Sequence, residues 1–494
     1  MEDPAVAVAR RCHARDVPAR ALRRAAPQEL HVTVLRIALW LVIAVACRST
    51  TSAPDPLALD DAYPAEASPT GVVKTFEITA AEAELPLIDG TRRKVWAYNG
   101  QVPGPTLRVR LGDTVRVQFT NRLPQATTIH WHGVRVPNRM DGVPHSSQPP
   151  IEPGGTFVYE FAPKDAGTFW FHPHIRSSEQ VERGLYGMLI VEDKVPPPYT
   201  QDVVWILDDW LLGADGQIVG QFNTPHDLSH DGRWGNVIAV NARTDTALQL
   251  ATDERIRLRL LNASNGRIYA PDFGDLDATV IAVDGMYLRA PIPLERFELA
   301  PGNRLDLDIV STGNASRRVV VVDRFTNRPN RLAEIAVDGG SNPPRFASPA
   351  RARVPAWSTG LAAPITQEVR LDARRGGALG IEWTFNGQAF SGHEHHHPSL
   401  VLTRDTWARL RFTNVSARLH PIHLHGMFFK VIARNEIAVD EPFFRDTVLV
   451  HGRETVDIGL VPLDVGSWMM HCHILEHAEA GMMTMIDVVA PAAR

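Results

Sequence analysis

Four His-x-His pairs punctuate this chain of 494 residues: His130-Trp131-His132, His172-Pro173-His174, His423-Leu424-His425 and His471-Cys472-His473. Alternate residues of a strand share a face, so both imidazoles of a pair can turn into one cleft. With 20 histidines in the chain, chance alone yields about one such pair, and a single pair would carry little weight. Their placement decides the matter, because all four fall at matching points of an internal repeat. Eight imidazoles converging between two related units have no packing role and have the chemistry of metal ligands.

A second constellation lies beside the last pair. Cys472, His477 and His420 supply one thiolate and two imidazoles, with Met482 ten residues beyond the cysteine. Two histidines, a cysteine and a weak axial thioether are the ligand set of a blue copper centre, and a thiolate suits copper cycling between Cu(I) and Cu(II). Met482 also has a plainer reading as core packing beside Met483 and Met485, but the ligand reading is preferred. The other cysteines, Cys12 and Cys47, lie in the N-terminal leader, so the folded part has one thiol and no internal disulfide.

The elements that must carry these residues are written three times. Leu107–Asn121, Leu248–Asn262 and Leu400–Asn414 each alternate apolar and polar residues around a Gly-Asp, Asp-Glu or Arg-Asp turn, so each reads as a pair of half-buried strands. Asn99-Gly100-Gln101 and Asn386-Gly387-Gln388 open the outer copies. Second halves match as well, in the strands after Pro153-Gly154, Pro301-Gly302 and Gly452-Arg453. Short strands and frequent turns predict an all-β protein of three Greek-key sandwiches. The predicted domains span residues 70–195, 196–350 and 351–494, divided at Pro196-Pro197-Pro198 and at the Pro/Ser/Arg stretch Ser341–Pro355. The first domain has Pro173 where the third has Cys472, and no counterpart of His477, so it holds only its half of the cluster. The middle domain has no histidine pairs and reads as architectural.

Composition excludes other classes. Hydrophobic residues are 44%, charged residues 22% and the formal net charge is −5, an ordinary soluble balance that is not basic enough for nucleic acid. Residues 1–47 read as a leader, with arginines ahead of the apolar run Ile37–Ala46 and a small residue before Cys47, as in a lipoprotein cleavage box. Residues 48–69 are a linker. Export to the periplasm or cell envelope is expected, with Cys47 a lipid tether, and the folded chain is expected to act as a monomer.

His130-Trp131-His132-Gly133, His172-Pro173-His174, His420-Pro421-Ile422-His423-Leu424-His425-Gly426 and His471-Cys472-His473-Ile474-Leu475-Glu476-His477 together resemble the four copper motifs of the multicopper oxidases, the laccase-like family. The resemblance runs from about residue 70 to the C-terminus and implies cupredoxin-like domains. It implies four copper ions: type 2 on His130 and His423, a type 3 pair on His132, His172, His174, His425, His471 and His473, and type 1 on His420, Cys472, His477 and Met482. Cys472 would then bind one copper while its chain neighbours bind the cluster, a covalent path for electrons. O2 would be the acceptor, and a small molecule or metal ion the donor: a phenol, an aromatic amine, Cu(I) or Fe(II). The ten methionines form no cluster, which favours an organic donor. Asp141 sits where relatives carry an acid near the cluster, and reads equally as a turn residue before Gly142. Ala478 occupies the position of a second acid in many bacterial relatives, with Glu479 next to it. A non-catalytic copper-binding scaffold conflicts with the full ligand set, and a two-domain copper nitrite reductase conflicts with the four pairs.

The remaining histidines read more plainly. His393–His397 reads as a solvated loop, with an extra metal site or copper collection as the alternative, His226 and His230 as surface or interdomain residues, and His145 and His451 as structural.

Overall fold

A computed structural model of the chain describes residues 68–251, 254–311, 315–338, 363–390, 400–439 and 441–492. The leader with Cys12 and Cys47, most of the linker, the stretch 341–355 and the loop His393–His397 lie outside the described residues.

Six sheets stack in pairs. In the first pair, strands 91–98, 73–87, 114–122 and 156–161 face strands 107–110, 187–192, 167–172 and 130–132. The core between them holds Val115, Val117, Phe119, Trp131, Phe169 and Leu189. The middle pair joins a six-stranded and a four-stranded sheet between residues 201 and 337. The third joins six strands (among them 408–414 and 455–460) to five (400–403, 483–489, 466–472, 420–424 and 447–450). Helices are single turns, among them Ser177–Glu182 and Leu475–Glu479, which follow the second and fourth histidine pairs. No helix among the described residues is long and apolar enough to cross a membrane.

The repeat explains the architecture. Along Thr114–Arg122 every second residue is buried and the residues between face outward, the pattern of a strand covered on one side. The two strands of each copy do not pair with each other: 107–110 joins one sheet and 114–122 the sheet opposite, and the copies at 400–414 and 247–262 do the same. The asparagine that closes each copy does the same work three times. The Asn121 Nδ2 donates to the carbonyls of Gln125 and Ile151, Asn262 Nδ2 to Arg267 and Leu299, and Asn414 Nδ2 to Arg418 and His451. Each Oδ1 accepts the backbone N–H two residues on.

The middle copy departs from the half-buried expectation, since Arg255–Asn262 is buried on both faces. Ile256, Leu258 and Leu260 enter the middle core. Arg257 and Arg259 on the other face bind Asp306 and Asp202, and the Arg259 Nη1 donates to Thr168 Oγ1 of the first sandwich at 2.7 Å. The first sandwich covers this polar ladder, and the buried cations are tolerable because each is paired.

Candidate metal centre

Two hairpin-like strand pairs carry the histidines in one register. His130 lies opposite His172 in the first sandwich, and His423 opposite His471 in the third. Trp131 and Leu424, the residues between, point into their own cores. The imidazoles on the alternate face meet between the sandwiches, where His132 stacks on His423 at 3.7 Å and His130 on His425 at 3.8 Å between centroids. The same alternation turns Cys472 away from His471 and His473, into the core of the third sandwich.

Three all-histidine groups offer ligand atoms within 4.8 Å of one another at this interface, His130, His132 and His423; His132, His172 and His473; His174, His425 and His471; a fourth group there joins His130 and His425 to Asp141. Six of the eight imidazoles have one ring nitrogen anchored to an oxygen. Nδ1 of His130 donates to Asp141 O at 2.7 Å, that of His172 to Pro173 O, that of His423 to Asp446 O and that of His471 to Cys472 O. His132 is turned the other way, its Nε2 donating to Asp446 Oδ1 at 3.2 Å. The nitrogens left over, Nε2 of His130, His172, His423 and His425 and Nδ1 of His132, are buried without any partner, as are both nitrogens of His473. Orphaned acceptors of this kind cost free energy unless something binds them. Burial lowers the pKa of His132, His172, His174, His423, His471 and His473, and brings His425 down to about 3. Neutral imidazoles with one anchored N–H and one free lone pair are the ligating form, so the residues fit metal ions.

Asp141 is brought into this site. Its Oδ2 accepts from His425 Nδ1 at 2.8 Å, its backbone carbonyl holds His130, and its Oδ1 lies 3.3 Å from the His130 Nδ1 without a hydrogen bond of its own. Burial pushes its carboxyl up, but the facing imidazoles of His425 and His130 more than offset this and hold it below the usual carboxylate range.

Sequence reasoning missed Asp446 and everything behind it. Asp446 Oδ1 takes the His132 N–H and lies 3.4 Å from His423 Nδ1. Arg304 grips Asp446 through both guanidinium nitrogens at 3.0 and 2.6 Å, and Asp284 accepts the backbone N–H of Asp446 and of Thr447. All three are fully buried. Burial opposes ionisation of Asp446, and Arg304 and His423 together more than offset it. Gly302, two residues before Arg304, slips between rings: at φ +86°, a Cβ there would stand 2.8 Å from His473 and 2.9 Å from His132. The middle sandwich therefore buttresses the cluster while supplying no histidine. One signal was available, since Pro301-Gly302 is the middle copy of a repeat whose outer copies flank the motifs.

The second constellation forms one core apart. Cys472 Sγ lies 3.6 Å from His420 Nδ1 and 3.8 Å from His477 Nδ1. The outer nitrogens are both used: His420 Nε2 donates to Ser416 Oγ at 3.0 Å and His477 Nε2 to the His230 carbonyl at 2.7 Å. Burial pushes the Cys472 thiol up and brings His477 down to about 3. A bound cation would reverse the first effect and use the second. Met482 is buried in the same core, and its carbonyl accepts the Cys472 N–H at 3.0 Å. Ala478 is buried, and Glu479 beside it accepts from Ser178 N and Asn223 Nδ2. Glu476 is pushed up to about 7 by burial, with Asn265 on one oxygen. His451 is held by Glu298 at 2.8 Å, and the His145 N–H by the Gln148 carbonyl, away from either ligand group.

Comparison with known proteins points the same way. Two family profiles, each described as multicopper oxidase, match residues 79–196 and 362–491. A multicopper oxidase of Mycobacterium tuberculosis is 30% identical over 87% of this chain and 90% of its own length. The crystal structure of a multi-copper oxidase from Pseudomonas thermotolerans is 33% identical, with a TM-score of 0.76 over 85% of this chain and 100% of that one. That of a laccase from Pediococcus acidilactici is 27% identical, with a TM-score of 0.73 over 87% and 92%.

Proposed function

The chain belongs to the multicopper oxidase family, an oxidoreductase with cupredoxin-like domains that uses copper and O2, and from that premise we propose that it couples four one-electron oxidations of a donor to reduction of O2 to two waters. The donor is a phenol, an aromatic amine, Cu(I) or Fe(II). His420, Cys472, His477 and Met482 hold type 1 copper, His130 and His423 type 2, and His132, His172, His473, His174, His425 and His471 the type 3 pair. The observation that carries this reading is the set of buried, partnerless ring nitrogens contributed by two sandwiches to one cleft.

Bound copper supplies the one-electron steps and the reduction of O2. The chain does the rest. Cys472 connects the two sites covalently, because its Sγ faces His420 and His477 while its peptide neighbours His471 and His473 face the cluster. Asp446 and the carbonyls of Asp141, Pro173 and Cys472 fix the imidazole tautomers. Asp141 keeps one carboxylate oxygen free of hydrogen bonds, through which it can pass a proton on toward the products without storing it. Domains at 70–195, 196–350 and 351–494, export to the cell envelope, a tether through Cys47 and a monomeric state complete the proposal.

Metal analysis of the reconstituted chain should find four coppers, and O2 uptake should equal one quarter of the donor oxidised. Cys472→Ser should lose both the blue colour and turnover. One copper or none in a fully reconstituted sample overturns the reading.

A further inference from the structure

The type 1 site has no open face. His420, Cys472, His477 and Met482 are each fully buried. Trp383 lies against both imidazoles, 4.2 Å from His477 and 5.0 Å from His420 between ring centroids. The cover is the segment Asn223–Arg233, which is bonded down at several points. Trp383 Nε1 donates to Leu228 O at 2.8 Å, Leu419 N to Asp231 Oδ1 at 2.9 Å and His477 Nε2 to His230 O at 2.7 Å. A phenol cannot touch either imidazole edge, so electrons enter through this cover.

The outer surface of the cover carries two histidines one turn apart. His226 and His230 are both exposed, and their rings stack at 4.2 Å with an interplanar angle of 12°. His230 Nδ1 donates to the His226 carbonyl at 3.0 Å, which fixes the tautomer and leaves Nε2 as a free, solvent-facing lone pair. An imidazole anchored through one nitrogen to a backbone carbonyl is the usual state of a metal-ligating histidine. Asp227 and Asp231 nearby face Arg233 and Arg418. Asp227 Oδ1 also lies 3.8 Å from His226 Nδ1, but both carboxylates already face arginines, and a donor set led by two imidazoles suits copper better than ions that prefer oxygen.

We propose that His226 and His230 bind the electron donor, and that this donor is Cu(I). The inference rests on the oxidase reading above, and it departs from the organic donor that the methionine count favours. Each Cu(I) gives up one electron and leaves as Cu(II). The electron passes from the His230 side chain along its own backbone to the carbonyl, across the hydrogen bond to His477, and into the type 1 site. O2 takes up four such electrons with four protons, giving two waters. His226 is the second ligand, and the covalent continuity of His230 makes it the one that couples binding to transfer.

The test compares the copper-loaded full chain with His226→Ala/His230→Ala, which keeps the residue 230 carbonyl and alters only exposed side chains. Titration with Ag(I), a redox-silent analogue of Cu(I), should show one equivalent fewer taken up by the variant. Anaerobic bleaching of the blue band by Cu(I) should slow in the variant by about tenfold or more relative to bleaching by a bulky phenol. Equal Ag(I) uptake overturns the site, and equal slowing with both donors overturns its role. Slowing with Fe(II) as strong as with Cu(I) overturns the choice of ion. A wild type that takes up the extra Ag(I) but consumes no O2 with any donor fails the oxidase reading while supporting the site.

Discussion

At the scale of single residues, the centre works by giving most of its imidazoles one fixed partner and one free lone pair. Asp141 does this for His425 with a side-chain oxygen and for His130 with its carbonyl, and still has an oxygen to spare. Asp141→Asn can still accept from His425 through its amide oxygen, so copper should stay, but it cannot carry a proton. O2 consumption should fall by about a hundredfold or more, while anaerobic reduction of the blue site by the donor proceeds as before; stopped-flow beside an oxygen electrode measures both. Loss of both together would mean that the carboxylate only holds the site in shape. The histidine pairs that meet at the interface were legible because each is a run of adjacent residues. Asp446 was not, because its partner His132 lies 314 positions away and nothing local to Asp446 distinguishes it. His230 read as a surface or interdomain residue, and its link to His477 was illegible for the same reason, since the atom that matters is a backbone carbonyl.

At the scale of elements, alternation along a strand does most of the positioning. Trp131, Leu424 and Cys472 point inward while their histidine neighbours point to the interface, and this followed from the sequence by period alone. The tripled repeat announced three sandwiches and its closing asparagines. That the two strands of each copy belong to opposite sheets was not legible, because alternation reports which face is buried and not which strand is the neighbour. The turn at Gly302 is the sharpest elemental constraint. Gly302→Ala would drive a methyl group toward His473 and His132 at a backbone angle that favours glycine. The strain of about 1–3 kcal/mol falls on His473 and His132, the proposed type 3 ligands, so chelator titration should strip cluster copper before the blue copper. Equal loss of both would show that the turn yields instead.

At the scale of the whole molecule, the middle sandwich is more than a spacer. Its Arg304 is buried between Asp446 of the third sandwich and its own Asp284, and its Arg259 reaches Thr168 of the first. The architectural reading of the middle domain rested on its lack of histidines, and composition cannot reveal a guanidinium that works through another residue. Arg304→Met should leave two buried carboxylates facing each other and cost about 3–5 kcal/mol, seen as a lower denaturant midpoint. Arg304→Lys should recover part of that loss, because it restores the charge without the two-pronged contact. A midpoint unchanged in Arg304→Met would show that water or protonation compensates for the missing cation.

The stacking of His132 on His423 and of His130 on His425 means that every ligand group at the interface with rings from both outer sandwiches belongs wholly to neither. Metal there is also mortar. Whatever binds the closed arrangement and not the parted one stabilises closure by mass action, so copper and the seam between sandwiches share one free energy. Stripping the copper should loosen the seam before it unfolds any sandwich, and amide exchange should quicken first at 130–132 and 420–424, while 114–122 and 255–262 stay protected. Uniform quickening across all these strands would contradict this. By the same linkage, escape of copper from the closed protein waits on the seam to open, so the enzyme should keep its metal through spells of scarcity that would empty an exposed site.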